Sequence, residues 1–331
     1  MKQIRLGQTG PMVSAVGLGC MGMSDFYGPA DKDESAATIR AALDAGVTLL
    51  DTGDFYGMGH NEMLIASTLR GVPREHYLLS VKFGALRGPD GQFLGFDLRP
   101  GAIETALAYS LKRLGTDYVD IYRPARLDPA VPIEDSIGAL ADLVKAGYVR
   151  HIGLSEVGVD TIRRAHATHP ICDLQIEYSL MSRGVEADIL PTLRKLGIAL
   201  TAYGILSHGL IGGVPAPAVH GTQSHLPRFQ GENLRQNLAL VAALEAVARG
   251  KDATVAQLAT AWVMSRGDDI VPLVGTRRRT HLADSLAAGA VSLTAADLAL
   301  IEAAMPASCV AGERYPPHLM TMLDSERRMA S

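Results

Sequence analysis

Short runs rich in Val, Ile, Leu and Tyr recur along the chain, and each is followed by ten to fifteen residues in which apolar positions return at helical spacing. The runs predict strands near 15–19, 47–51, 77–82, 118–122, 149–154, 172–176, 198–202 and 270–274. The intervening pattern predicts helices near 33–45, 61–69, 100–113, 134–146, 158–167, 186–195, 254–265 and 280–287. Gly46, Gly115, Gly147 and Gly197 stand where a helix favours a glycine at its end. Strict alternation of strand and helix is the mark of βαβ units around a parallel sheet, and eight of each favour an α/β (β/α)8 barrel, the TIM-barrel plan, over an open sheet. The opening Ile4–Val16, with Gly7-Gln8-Thr9-Gly10 at its middle, reads as a β-hairpin that plugs the barrel floor.

No Pro/Gly/Ser linker separates two independently patterned halves, so residues 1–331 are expected to form a single barrel domain. The stretch 207–234, with Gly212-Gly213, Pro215 and Pro217, is the longest without a helix or strand pattern. An irregular segment that long is usually functional, and a loop closing over a cofactor is the expected role. The tail 306–331, which carries Pro316-Pro317, is expected to cover the barrel mouth as well.

Composition narrows the function. Of 331 residues 47% are apolar and 20% charged, with a formal net charge of -4. A mildly acidic chain with one short basic cluster, Arg277-Arg278-Arg279, argues against a general nucleic-acid or membrane surface, and a small-molecule substrate is expected. The N-terminus lacks the pattern of a secretory leader, no apolar run reaches membrane-spanning length, and Cys20, Cys172 and Cys309 are odd in number and widely spaced. The expectation is a cytoplasmic protein with reduced, inert thiols, working as a monomer or weak homo-oligomer. No metal-ligand spacing occurs, which argues against a metal-dependent barrel hydrolase. The glycine fingerprint of an open-sheet dinucleotide site is missing too.

In a (β/α)8 barrel, chemistry sits at the C-terminal ends of the strands. The second predicted strand runs into Asp51-Thr52-Gly53-Asp54-Phe55-Tyr56-Gly57, and the third ends in Ser80-Val81-Lys82. A buried ammonium needs a partner, and Asp51 on the neighbouring strand is available. A free phenol, with a pKa of about 10, is a poor acid at neutral pH, and a nearby ammonium would lower that value. Asp51 holding Lys82, and Lys82 acidifying Tyr56, would let Tyr56 protonate an alkoxide as hydride arrives. Singly, each residue has an ordinary structural reading, whereas together at adjacent strand ends they point to chemistry. At the other end of the chain, Gly275-Thr276-Arg277-Arg278-Arg279 leads into a helix, and a helix N-terminus beside guanidinium groups is a natural phosphate site.

The segments Leu50–Gly57 with Asn61-Glu62, Val81-Lys82, Asp117–Tyr122, Ile152–Glu156, Gln175–Ser179 and Pro272–Arg277 resemble, in order, the motif series of the aldo-keto reductases across about residues 3 to 290. The resemblance implies hydride transfer between NADP(H) and a carbonyl or alcohol, with Asp51, Tyr56 and Lys82 as three members of the family's catalytic tetrad. It also implies that Ser155, Glu156 and Gln175 hold the nicotinamide carboxamide and that Tyr203 stacks on its ring. The pyrophosphate loop falls on Gly204–Leu210, with Gly204, Leu206, Gly209 and Leu210 as contacts. Gly275, Thr276, Arg277 and His281 fall on the 2′-phosphate site, which makes NADPH the expected cofactor, with Asp284 and Ser285 near the adenine.

The fourth tetrad position departs from the family. Where it usually has His, the segment Tyr122-Arg123-Pro124-Ala125-Arg126-Leu127-Asp128-Pro129 has Ala125. Losing that polar anchor opens space beside Tyr56 in a pocket expected to be lined by Phe26, Tyr56, Ala125 and Arg126. Three readings follow: an enzyme for a bulky carbonyl, a non-catalytic NADP(H)-binding redox sensor, or an enzyme in which Arg123, Arg126 or His60 takes over the carbonyl contact. The variant segment resembles a bacterial subgroup associated with polycyclic ketones, including 3-keto trichothecenes.

Overall fold

The structure, a computed structural model, describes residues 1–24, 26–212 and 221–327. The first two strands, β1 (Gln3–Arg5) and β2 (Met12–Ser14), form the antiparallel hairpin the turn residues predict. Leu6 and Val13 on it are fully buried against Cys172, Ala199, Val271 and Leu273 near the starts of barrel strands, so the hairpin closes the floor. Gly7 makes this possible: it sits at φ +64°, and a Cβ there would stand 2.5 Å from the Cys172 carbonyl oxygen.

Eight parallel strands close the barrel: β3 (Gly17–Gly19), β4 (Leu49–Gly53), β5 (Leu78–Phe83) and, after a protruding hairpin of β6 (Ala85–Arg87) and β7 (Phe93–Phe96), β8 (Val119–Pro124), β9 (Val149–Ser155), β10 (Ile171–Glu177), β11 (Ala199–Tyr203) and β12 (Ile270–Gly275), which pairs back onto β3. The predicted strands all form, shifted by no more than a few residues. The predicted helices form as α1 (Lys32–Asp44), α2 (His60–Thr68), α3 (Pro100–Leu114), α4 (Ile133–Lys145), α5 (Val159–Thr168) and α6 (Ile189–Leu196), with α8 (Val255–Met264) and α9 (Arg279–Ala287) later in the chain. The capping chemistry is as the residues dictate. The Asp31 side chain accepts from the Glu34 N–H at the start of α1, and Gly115 and Gly197 close α3 and α6 at φ +65° and +70°.

Besides the β6–β7 hairpin, strict alternation fails late in the chain. Between β11 and β12 the chain inserts α7 (Gly231–Arg249) before α8, and after α9 it adds α10 (Ala295–Ala304) and the short α11 (Pro317–Met320). The expected irregular stretch 207–234 is also more ordered than its composition suggests: 3-10 turns cover Ser207–Gly212, Gly221–His225 and Pro227–Phe229, and α7 begins at Gly231. Residues 213–220 of that stretch lie outside the described residues. Cys20 and Cys172 are buried free thiols, but Cys309 is exposed, because its short turn packs no side of it against the core. No helix among the described residues is long and apolar enough to cross a membrane.

Candidate active site

Side chains alternate along a strand, so every second residue of β4, β5, β8, β9, β10 and β11 points into the barrel. Register places Asp51 beside Ser80, Gly53 beside Lys82, and Lys82 beside Arg123. Lys82 Nζ forms an ion pair with Asp51 Oδ1, while Asp51 Oδ2 accepts from Ser80 Oγ at 2.9 Å and from Gln175 Nε2 at 2.7 Å. The Lys82 ammonium lies 5.2 Å from the centre of the Tyr56 ring. Gly53 leaves the room: a Cβ on it would stand 3.4 Å from that ring. After Tyr56 the backbone runs through three left-handed residues, Gly57, Met58 and Gly59, before α2 begins. Met58 pays strain for a turn that holds the phenol at the strand ends. His60 starts α2 and its Nδ1 bonds Ser24 Oγ at 3.0 Å.

The geometry of Asp51, Tyr56 and Lys82 is the expected one, but the electrostatics differ. Burial pushes the Tyr56 phenol well above its ordinary pKa, Asp51 pushes it further, and Arg126 pulls it back only in part. Burial also lowers the Lys82 ammonium, against the pull of Asp51. In the resting site the expected acidification of Tyr56 by Lys82 is outweighed, because desolvation of the phenolate and the Asp51 charge raise its pKa more than the neighbouring cations lower it. These surroundings favour the protonated phenol over the phenolate.

At the fourth tetrad position, Ala125 is buried, its N–H donating to the Phe83 carbonyl at 2.8 Å. The two neighbouring arginines part company. Arg123 turns inward and is fully buried on Asp173 at 2.9 Å. Arg126 lies across the mouth, donating to the Ala125 carbonyl at 2.7 Å and towards Ser155 Oγ at 3.4 Å, and among the described residues it has no carboxylate within 4.0 Å. Phe26 is partly exposed and packs edge-on against Tyr27.

Glu156 follows β9 in a left-handed conformation, φ +52°, and is fully buried. Its carboxylate accepts from Tyr203 Oη at 2.6 Å, from both terminal nitrogens of Arg314 at 3.0 and 2.8 Å, and from Ser325 Oγ at 2.8 Å. Burial alone would raise its pKa, but Arg314, then Arg126 and Tyr203, more than offset that and hold it down at about 2. Arg314 reaches Glu177 as well, and Tyr315 Oη sits 3.2 Å from Tyr203 Oη. The C-terminal tail thus lies over the ends of β9, β10 and β11. Arg314, Tyr315 and Ser325 were invisible as site residues in the sequence. The only signal was indirect: Glu156, at the end of an apolar strand, needed a cation from somewhere.

Beyond Tyr203 the chain turns through Gly204 at φ +66°, Ser207 and His208 in the left-handed region, and Gly209 at φ +93°. Leu210 is buried in the core and Leu206 is half-buried, so the segment would meet a ligand with backbone amides. His208 Nδ1 bonds Tyr27 Oη at 2.8 Å, while its Nε2 is buried and unpartnered.

At the far side, Arg278 gives α9 no side-chain cap of its own, and Thr276, Arg277 and the exposed His281 stand at its start. Arg277 donates to the Gly28 carbonyl at 2.7 Å, and Arg279 is drawn away by Glu34 at 2.8 Å. The first amide of α9 is already taken, the Arg279 N–H donating to Glu34 Oε1 at 2.9 Å, so the groups there suited to a phosphate are the Arg277 and Arg278 guanidinium groups, neither in an ion pair among the described residues. Asp284 binds Gln257 Nε2 at 2.7 Å and meets the Thr254 cap of α8, with Ser285 buried beside it.

The Aldo/keto reductase family model matches residues 15–306. The chain belongs to the aldo/keto reductase family. It is similar to a relative from Glycine max named probable aldo-keto reductase 1, with 42% identity over 321 residues, 95% of this chain and 92% of that one. Among solved structures it is similar to a glycerol dehydrogenase from Gluconobacter oxydans, at TM-score 0.83 and 27% identity, covering 92% of this chain and 96% of the other. It is also similar to a thermostable aldo-keto reductase solved with the inhibitor epalrestat, at TM-score 0.74 and 28% identity, covering 92% of this chain and all of that one. As an aldo/keto reductase the protein is an oxidoreductase acting on carbonyl groups of small molecules, in a family that uses nicotinamide cofactors.

Proposed function

We propose that the protein is an NADPH-dependent carbonyl reductase, acting on a ketone or aldehyde with Tyr56 as general acid in a pocket that Ala125 opens to a bulky substrate. The observation that carries this is the Asp51–Lys82 pair set beneath the Tyr56 ring at the barrel mouth. A bound nicotinamide supplies the hydride. Tyr56 Oη holds the proton that the carbonyl oxygen takes up, and Lys82 stabilises the phenolate left behind, with Asp51 fixing Lys82 in place. A phenol held protonated by its surroundings releases its proton only as charge builds on the substrate oxygen, which suits a donor that works in the transition state.

The residues fit the cofactor. Ser155, Glu156, Gln175 and Tyr203 would hold the nicotinamide end, the backbone of Gly204, Leu206, Gly209 and Leu210 the diphosphate, and Gly275, Thr276, Arg277 and His281 the 2′-phosphate, with Asp284 and Ser285 beside the adenine. In support, His208 Nε2 beside the proposed diphosphate segment is buried without a partner, and the Arg277 and Arg278 guanidinium groups stand at the start of α9 with no ion pair among the described residues. Phe26, Tyr56, Ala125 and Arg126 line the substrate side. Polycyclic ketones, 3-keto trichothecenes among them, are the first substrates to try.

The test is NADPH oxidation, read by absorbance, against a panel from small aldehydes through sugars to polycyclic ketones, with Tyr56→Phe alongside. The wild type should turn over at least one class, and Tyr56→Phe should lose about a hundredfold or more in kcat while keeping its NADPH affinity. A variant as active as the wild type would sink the mechanism. Tight NADPH binding with no turnover on any carbonyl would favour the redox-sensing reading.

A further inference from the structure

Among the described residues, Asp51, Lys82, Arg123 and Asp173 carry charge inside the barrel, each with 5% or less of its surface exposed. The proposed chemistry uses the first two and leaves Arg123 and Asp173 without a role, although burying a second ion pair is costly to the fold. The two pairs are connected. Arg123 Nη2 donates to Ser80 Oγ at 3.1 Å, and the Ser80 hydroxyl donates its own proton to Asp51 Oδ2 at 2.9 Å. Ser80 has one hydroxyl proton, so accepting from Arg123 leaves Asp51 as the place for it to donate. Arg123 is itself clamped: its Nη1 binds Asp173 at 2.9 Å and the Leu154 carbonyl at 3.3 Å, and Asp173 is held by the Thr201 hydroxyl. The site is built to admit the guanidinium. β9 presents Gly153 there, and a Cβ on it would stand 3.0 Å from Arg123 Cζ and 2.7 Å from Asp173 Oδ1.

We propose that Arg123 is a positioning residue for the reaction, acting through Ser80 to orient the Asp51 carboxylate on Lys82 and, through Lys82, to prepare Tyr56. The proposal rests on the reading of Tyr56 as proton donor. The same placement sets a second cation next to Lys82, since the two are register partners on adjacent strands. The groups facing this centre are Asp51 on β4, Ser80 and Lys82 on β5, Cys172 and Asp173 on β10, Cys20 after β3, and Tyr56, Tyr27 and Arg126 at the mouth. Of these, Arg123 acts with burial to make Lys82 release its proton more readily, while Asp51 and Cys20 oppose it.

Three variants separate the hydrogen-bond relay from the charge. Ser80→Ala cuts the relay and keeps all four charges, and Ser80→Thr restores the hydroxyl. Arg123→Gln/Asp173→Asn removes a pair of opposite charges together, so that neither is left buried alone. Ser80→Ala should lower kcat about tenfold or more with KM and the NADPH dissociation constant nearly unchanged, and Ser80→Thr should recover most of the loss. In Arg123→Gln/Asp173→Asn the alkaline limb of the kcat/KM profile should move to higher pH. The 15N NMR titration of Lys82, assigned by its disappearance in Lys82→Gln, should move the same way, and this readout needs no turnover. If Ser80→Ala keeps the wild-type kcat, or if Lys82 titrates in the charge-pair variant as it does in the wild type, Arg123 is structural only. Should Tyr56→Phe remain active instead, the functional reading fails while the Lys82 titration still reports on Arg123.

Discussion

Arg314→Leu removes the cation from under a carboxylate that the fold has already committed to burial. Arg314 is 7% exposed and Glu156 is fully buried, so solvent screens neither. Burial would raise the Glu156 pKa, but Arg314 and its neighbours hold it at about 2 instead of the ordinary 4.5. At about 1.4 kcal/mol for each pH unit, that difference corresponds to roughly 3 kcal/mol of folding free energy, in line with the ~3–5 kcal/mol lost when one member of a buried ion pair is removed. For a chain of this length 3 kcal/mol displaces the melting temperature by about 4 °C. The sign follows from the depressed pKa. The stabilisation is complete above pH ~4.5, where the unfolded chain's carboxyl is ionised too, and is lost as pH falls towards about 2.

The assay is therefore a set of thermal melts of wild type and Arg314→Leu from pH 7 down to pH 3. A gap of about 4 °C at pH 7 should narrow on acidification. Arg314→Leu/Glu156→Gln should recover part of the loss, because a neutral amide does not need the guanidinium. A gap that stays constant across this range, or no gap at pH 7, would refute the assignment of Arg314 as the partner that keeps Glu156 ionised.

The remaining predictions concern charge and space around the same mouth. Burial and the nearby Glu62 push Asp54 up to about 7, and its Oδ1 has no partner, so Asp54→Asn should stabilise the protein by about 2 to 4 kcal/mol at pH 8 and little at pH 4, with the gain growing through that interval in melts. Arg277→Ala should weaken NADPH binding about tenfold to a hundredfold and leave NADH within about twofold, measured by fluorescence titration; equal losses for both would place the 2′-phosphate elsewhere. Ala125→His should raise kcat/KM for small aldehydes and lower it for polycyclic ketones, and an unchanged ratio would count against the opened pocket.

What could be read in the sequence was set locally. Strand and helix periods, the glycines closing α3 and α6, and the Gly7 turn are each decided by a few neighbouring residues, so the barrel and its floor hairpin were legible. The Asp51–Lys82 pair was legible for the same reason, since adjacent parallel strands place their ends side by side and a buried ammonium demands an anion. The helix α7 was missed because it has no local start signal: Gly231 opens it at φ +48°, and Gln230 supplies no capping bond. Only the tertiary structure decided that Arg123 turns inward and Arg126 outward, that a tail arginine 158 residues away neutralises Glu156, and that the Tyr56 phenol is made less acidic rather than more. A pKa depends on how completely water is excluded and on every charge within a few ångströms, whatever its position in the chain, and those are properties of the closed barrel mouth rather than of any segment that forms it.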